Sequence, residues 1–108
     1  IVLSGDTSPT QSLIDHCGGC DVLIHEVYPL TTFNTMSPAW QEFRRSHHTS
    51  TKELADIAST VKPGLLVIYH HSNAGGGPMG GDSEDVLLDE IRQSYKGRVV
   101  GGHDLDIF

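Results

Sequence analysis

Mixed α/β layering, with helices packed against a sheet, is the fold class that the 108 residues predict. Three observations predict it. Two contiguous aliphatic runs, Val22-Leu23-Ile24 and Leu65-Leu66-Val67-Ile68, read as strands covered on both faces, because a strand with one wet face would alternate. Between them Leu54, Ala55, Ile57 and Ala58 recur at helical spacing. The flanking segments switch period in the same way, so that the order reads βαβ-α-βαβ.

The elements follow one by one. Ile1–Ser4 is apolar and β-branched, hence a strand, and Gly5-Asp6-Thr7 turns out of it. Ser8 caps the next helix, with Pro9 at its first position and Gln11 completing a capping box. Leu13 and Ile14 face inward there, and Gly18-Gly19 ends the helix. Asp21–Glu26 is the second strand. Residues 27–46 are the least regular stretch, with two prolines and scattered aromatics Tyr28, Phe33, Trp40 and Phe43; Ser37-Pro38 opens a short helix to about Arg45. Ser50 and Glu53 form another capping box, opening a helix from Thr51 to about Val61 that Lys62-Pro63-Gly64 stops. Leu65–Tyr69 is a buried strand with His70 at its C-terminal end. Five glycines and a proline within Asn73–Gly81 mark a loop. Asp82 or Ser83 then caps a helix to about Tyr95, with Val86, Leu87, Ile91 and Tyr95 inward. Arg98–Gly101 and Leu105–Phe108 close the chain as strands.

Residues 1–108 fit a single domain of modest core. The net charge of −7, with 14 acidic against 7 basic side chains, disfavours extended nucleic-acid binding by this chain alone. A small anionic substrate held through metal ions stays open, since the ions' own charge dominates such a site. No apolar run approaches the roughly 20 residues that span a bilayer, and no basic-then-apolar leader is present. The chain begins at Ile1, inside a strand, and so reads as a fragment or a processed piece. Cys17-Gly18-Gly19-Cys20 lacks the second pair that a structural zinc site needs, and it follows a helix rather than opening one. Two free thiols in a reducing cytoplasm are expected.

Several residues carry possible chemistry. Asp6 suits an Asx-turn or, at a strand end facing His70 at another, a metal ligand. His47 and His48 precede a helix N-cap, where the dipole lowers an imidazole pKa. They are solvated loop residues or, with an anion bound beside them, proton donors. His25 and Glu26 form a relay or an ion pair. Asp104 and Asp106 read as turn or surface residues, and His16 suits a helix C-terminus without any function.

Four ordered motifs carry a resemblance that covers nearly the whole chain. They are Gly5-Asp6-Thr7, then Asp21-Val22-Leu23-Ile24-His25-Glu26, then His48-Thr49-Ser50-Thr51-Lys52-Glu53-Leu54-Ala55, then Leu66-Val67-Ile68-Tyr69-His70-His71-Ser72. The closing residues 102–108 add to them. Together they resemble the C-terminal half of the metallo-β-lactamase superfamily, in the branch of tRNase Z, phosphodiesterases and arylsulfatases. The resemblance implies half of an αββα sandwich and, for the parent protein, a zinc-dependent hydrolase of phosphodiesters or similar esters. By motif register, Asp6 matches a carboxylate that bridges two zinc ions and His70 a histidine ligand. His48 matches the histidine that assists the leaving group, Glu26 the acid that orients it, and His47 and His71 are neighbours. The family's His-x-His-x-Asp-His motif and its basic tRNA-binding arm have no counterpart in these residues. The chain alone is therefore expected to be inactive and to pair with a missing N-terminal half. The alternative is a non-catalytic half-domain that self-associates as a homodimer or binds another chain, since a lone half exposes the face meant for its partner.

Overall fold

A computed structural model describes residues 1–70 and 83–108. The predicted loop over 73–81, His71 and the alternative cap Asp82 lie outside the described residues. Four strands, β1 (Val2–Leu3), β2 (Val22–Glu26), β3 (Leu65–Tyr69) and β4 (Val99–Gly101), form an all-parallel sheet in the order β1-β2-β3-β4. Among the described residues five helices accompany them: α1 (Gln11–His16), α2 (Leu30–Phe33), α3 (Pro38–His47), α4 (Thr51–Val61) and α5 (Glu84–Ser94). Strands that add in one direction through right-handed crossovers place the crossover helices on one face. Accordingly α1, α4 and α5 share one core.

Register sorts the side chains. One row across the sheet, Val2–Leu23–Leu66–Val99, joins Leu13, Leu54, Ala58, Leu87 and Ile91 in that core. The next row, Leu3–Ile24–Val67–Val100, points to the opposite face. That second aliphatic row explains why the strands read as continuous apolar runs.

Helix α4 follows the sequence expectation. Ser50 accepts from the Glu53 amide while the Glu53 carboxylate accepts from the Ser50 amide, so the capping box is complete. Helix α1 starts later than expected. Its cap is Thr10, which accepts from the Leu13 amide, and not Ser8. Thr10 is still extended, and Gln11 bonds Asp15 instead of reaching back to close a box. In α5, Leu88 is buried and Val86 only half-buried, a small rotation of the expected inward face. The four-residue α2 was not foreseen, because so short a helix carries no periodicity.

Two expectations are corrected. No strand forms over 105–108: His103 donates its amide to the Asp106 carboxylate, Leu105 is left-handed, and Leu105 and Ile107 face solvent. The carboxylate folds the tail into a tight turn that a strand could not keep. Cys17 and Cys20 are not free thiols but a disulfide. The two-glycine turn, with Gly19 at φ +71°, brings their Cα atoms to 4.9 Å, within bridging range.

Candidate active site

In a parallel sheet every strand delivers its C-terminal end to the same edge, and residues just beyond those ends converge. Asp6 lies beyond β1, Glu26 ends β2, and His70 follows β3. Gly5 has φ +64°, a conformation that costs glycine least, and it turns the chain so that Asp6 leaves the strand end. His70 also has a positive φ, +50°, which turns it out of β3 toward Asp6. The two side chains meet, His70 Nδ1 standing 2.8 Å from Asp6 Oδ1, both about half exposed.

His48 arrives by a different route. Beyond β2 the chain runs on beside residues 49–51: Tyr28 donates its amide to the Thr49 carbonyl, and Thr51 donates its amide to the Tyr28 carbonyl, both at 3.0 Å. This parallel bridge fixes the turn from α3 into α4 against the end of the sheet. His48 Nδ1 then sits 3.3 Å from Glu26 Oε2, and its ring centroid lies 6.5 Å from that of His70.

Glu26 is the centre of this corner. It is 1% exposed. Its Oε1 accepts the Thr49 amide at 2.8 Å and, at 3.5 Å, the Thr7 amide, while the Thr49 hydroxyl donates to the Thr7 carbonyl at 2.7 Å. One carboxylate therefore couples the turns that carry Asp6 and His48. Burial pushes the Glu26 pKa up to about 7, against the lowering effect of those amides. Burial, followed by the positive charge of Arg44, pushes His48 down. Each member of the pair is thus drawn toward its neutral form.

His25 does not take part in a side-chain relay with Glu26. Successive strand residues point to opposite faces, and His25 Nδ1–H donates to the Glu26 main-chain carbonyl at 2.7 Å. The ring is fully buried on the helix side, burial lowers its pKa, and its Nε2 has no hydrogen-bond partner among the described residues. His47 is exposed and stacks on Phe43. His71 lies outside the described residues. Asp106 forms the terminal turn with His103, and His16 bonds the Ser12 carbonyl one turn back.

Thr7 and Thr49 stand inside the motifs read from sequence, but their contacts with Glu26, and that of Arg44 with the Tyr28 ring, were not read there. Both threonines reach Glu26 through main-chain amides, which any residue type offers, and only the Thr49 hydroxyl, donated to the Thr7 carbonyl, uses a side chain. Among the described residues no group of three or more His, Cys, Asp or Glu is placed to hold a metal ion. Asp6 and His70 remain as an adjacent carboxylate and imidazole, donor types that suit zinc.

A converging edge of this kind, on a parallel sheet backed by helices, also describes the chain's similarities. Its fold matches a metallo-β-lactamase fold protein, YhfI from Bacillus subtilis, with a TM-score of 0.65 and 23% identity, covering 93% of this chain and 35% of that one. In sequence the chain is similar to ribonucleases Z, so fold and sequence likeness both point to the metallo-β-lactamase superfamily. It is 34% identical over 96 residues to ribonuclease Z of Thermoplasma acidophilum, covering 89% of this chain and 27% of that protein. It is 30% identical over 110 residues to ribonuclease Z of Marinobacter nauticus, covering 100% of this chain and 32% of the relative. The chain thus spans about a third or less of each of these two relatives. No family model matches it.

Proposed function

We propose that this chain is the C-terminal portion, residues 1–108, of a cytoplasmic zinc-dependent hydrolase that cleaves phosphodiester bonds in the manner of ribonuclease Z. The observation that carries this proposal is the meeting of Asp6 and His70 at 2.8 Å beside the His48–Glu26 pair. Asp6 and His70 would contribute two donors to the metal site, and the rest would come from an N-terminal half. Bound metal in such a site supplies a hydroxide nucleophile and polarises the scissile group. Every other role falls to this chain's own residues. His48 holds its Nδ1–H on Glu26 Oε2, which leaves Nε2 to face the substrate and carry the proton for the leaving oxygen. A bound phosphodiester anion raises the His48 pKa again and so loads that proton. Glu26, whose pKa burial raises to about 7, stabilises the imidazolium in its ionised form.

The test uses the full-length protein with bis-p-nitrophenyl phosphate and a short RNA. His48→Ala should lower kcat by roughly 100-fold or more, and Asp6→Ala should remove activity together with bound zinc. The 108 residues alone should show no turnover unless the N-terminal half is added. Turnover by the 108 residues alone, abolished by His48→Ala, would sink the fragment assignment. Cell fractionation of the tagged full-length protein checks the cytoplasmic location.

A second reading has its own observation in favour. The row Leu3–Ile24–Val67–Val100 faces away from the helices; Val67 is buried, Ile24 and Val100 are half-buried, and Leu3 is 62% exposed. Under this alternative the chain is a non-catalytic half-domain whose second sheet face is covered by another copy or another chain. The two readings separate on whether supplying the N-terminal half produces hydrolysis.

A further inference from the structure

Helix α3 is built unlike its neighbours. Helices α4 and α5 bury six and three residues, whereas the ten-residue α3 buries none. Even so it carries Trp40 at 53% exposure and Phe43 at 43%. Trp40, Phe43, Arg44 and His47 stand at i, i+3, i+4 and i+7, which is one stripe of the helix. The Trp40 and Phe43 rings meet edge to face at 5.6 Å, and the Phe43 ring stacks on His47 at 4.6 Å. Ala39, Trp40 and Phe43 line a shallow apolar concavity of about 280 Å³. An open aromatic ledge of this kind exposes apolar surface to water without serving the core.

The ledge is continuous with the candidate site. Phe43 lies 5.8 Å from the ring of His48, the histidine assigned above to the leaving oxygen. A group attached to that oxygen therefore has the aromatic face of α3 within reach. Charge agrees with an anionic strand there: although the chain is acidic overall, Arg44 and His47 share the stripe in the last turn of α3, while Arg45 stands over the Phe33 ring. The Arg44 guanidinium lies over the Tyr28 ring, and its charge is felt at His48.

We infer that the Trp40–Phe43 face of α3 is a stacking platform for one unpaired nucleobase of an RNA substrate, that of the nucleotide carrying the leaving oxygen. The inference rests on the phosphodiesterase assignment above and deepens it, by naming an unpaired RNA nucleotide as what the site's outer wall receives. Aromatic faces suit such a base because every base has a π-face and stacking tolerates any sequence. One base on one ledge is also compatible with a chain whose net charge of −7 opposes an extended footprint.

The test is a binding experiment on the full-length protein in a His48→Ala background, which slows cleavage. Fluorescence anisotropy compares a short single-stranded RNA with an abasic ribose-phosphate chain of equal length. Trp40→Ala should weaken binding of the RNA by about fivefold or more and change binding of the abasic chain by less than about twofold. Trp40→Phe, which keeps a π-face, should restore most of the loss. Trp40 is exposed, so its truncation leaves the core intact. An equal loss on both ligands, or no loss on either, overturns the platform. Cleavage by the protein with His48 intact is scored separately: without it the phosphodiesterase assignment fails, while the platform stands or falls on the anisotropy alone.

Discussion

Glu26 is a carboxylate held where ionisation is costly, and that has a measurable effect on folding. Its pKa rises from an ordinary 4.5 to about 7 in the folded chain. Between those values the unfolded chain has released the proton and the folded chain has not, so folding binds a proton there and stability falls as pH rises. In metal-free protein, Glu26→Gln removes this dependence while keeping an oxygen for the Thr49 amide. Thermal unfolding of both forms at pH 5 and pH 8 should show wild type losing up to about 3 kcal/mol relative to the variant. A gap that closes with rising pH would contradict the assignment. The four candidate residues, Asp6, Glu26, His48 and His70, were legible because their motifs resemble a family's. Their support was not. Thr49 and Thr7 serve Glu26 across 23 and 19 residues of sequence through main-chain amides, and sequence marks no such contact.

At the scale of elements, α4 was the most legible. Its start, its capping box and its stop are all local, and local chemistry decides helix ends. Ser50→Ala should therefore cost about 1 kcal/mol in urea denaturation, and because Ser50 adjoins Thr49 it should weaken the turn that carries His48 as well. A variant as stable as wild type would show that tertiary packing, not the cap, fixes this start. Helix α1 was misplaced by two residues because Ser8 and Thr10 compete for the cap and the resulting six-residue helix has little periodicity to arbitrate. The closing strand was misread because Leu105 and Ile107 alternate like a strand while Asp106 pulls the backbone into a turn. A further tie was invisible in sequence. Glu90 on α5 accepts from the Leu30 and Thr31 amides and from the Thr31 and Thr51 hydroxyls, joining α2 to the first turn of α4. Burial opposes that carboxylate, yet the four donors prevail and its pKa is lowered.

For the whole molecule, two expectations follow from an edge and a face. Asp6 and His70 leave most coordination positions of a metal to water, so the isolated 108 residues should retain well under one zinc per chain after dialysis against a mild chelator. Stoichiometric zinc measured by elemental analysis would refute this. The second sheet face should drive self-association. Covering about 400 Å² of apolar surface is worth on the order of 10 kcal/mol before the costs of association. Light scattering at tens of micromolar should then report a mass above the 11.7 kDa of one chain. A monomer whose cooperative melting ignores concentration would mean that the half closes its own core. The strand order has a separate consequence for biosynthesis. Each strand after β1 hydrogen-bonds the strand made just before it, so as this stretch leaves the ribosome β2, β3 and β4 each meet a partner already synthesised. The sheet can lengthen in step with translation, bringing Asp6, Glu26, His48 and His70 to its edge in the order in which they are synthesised.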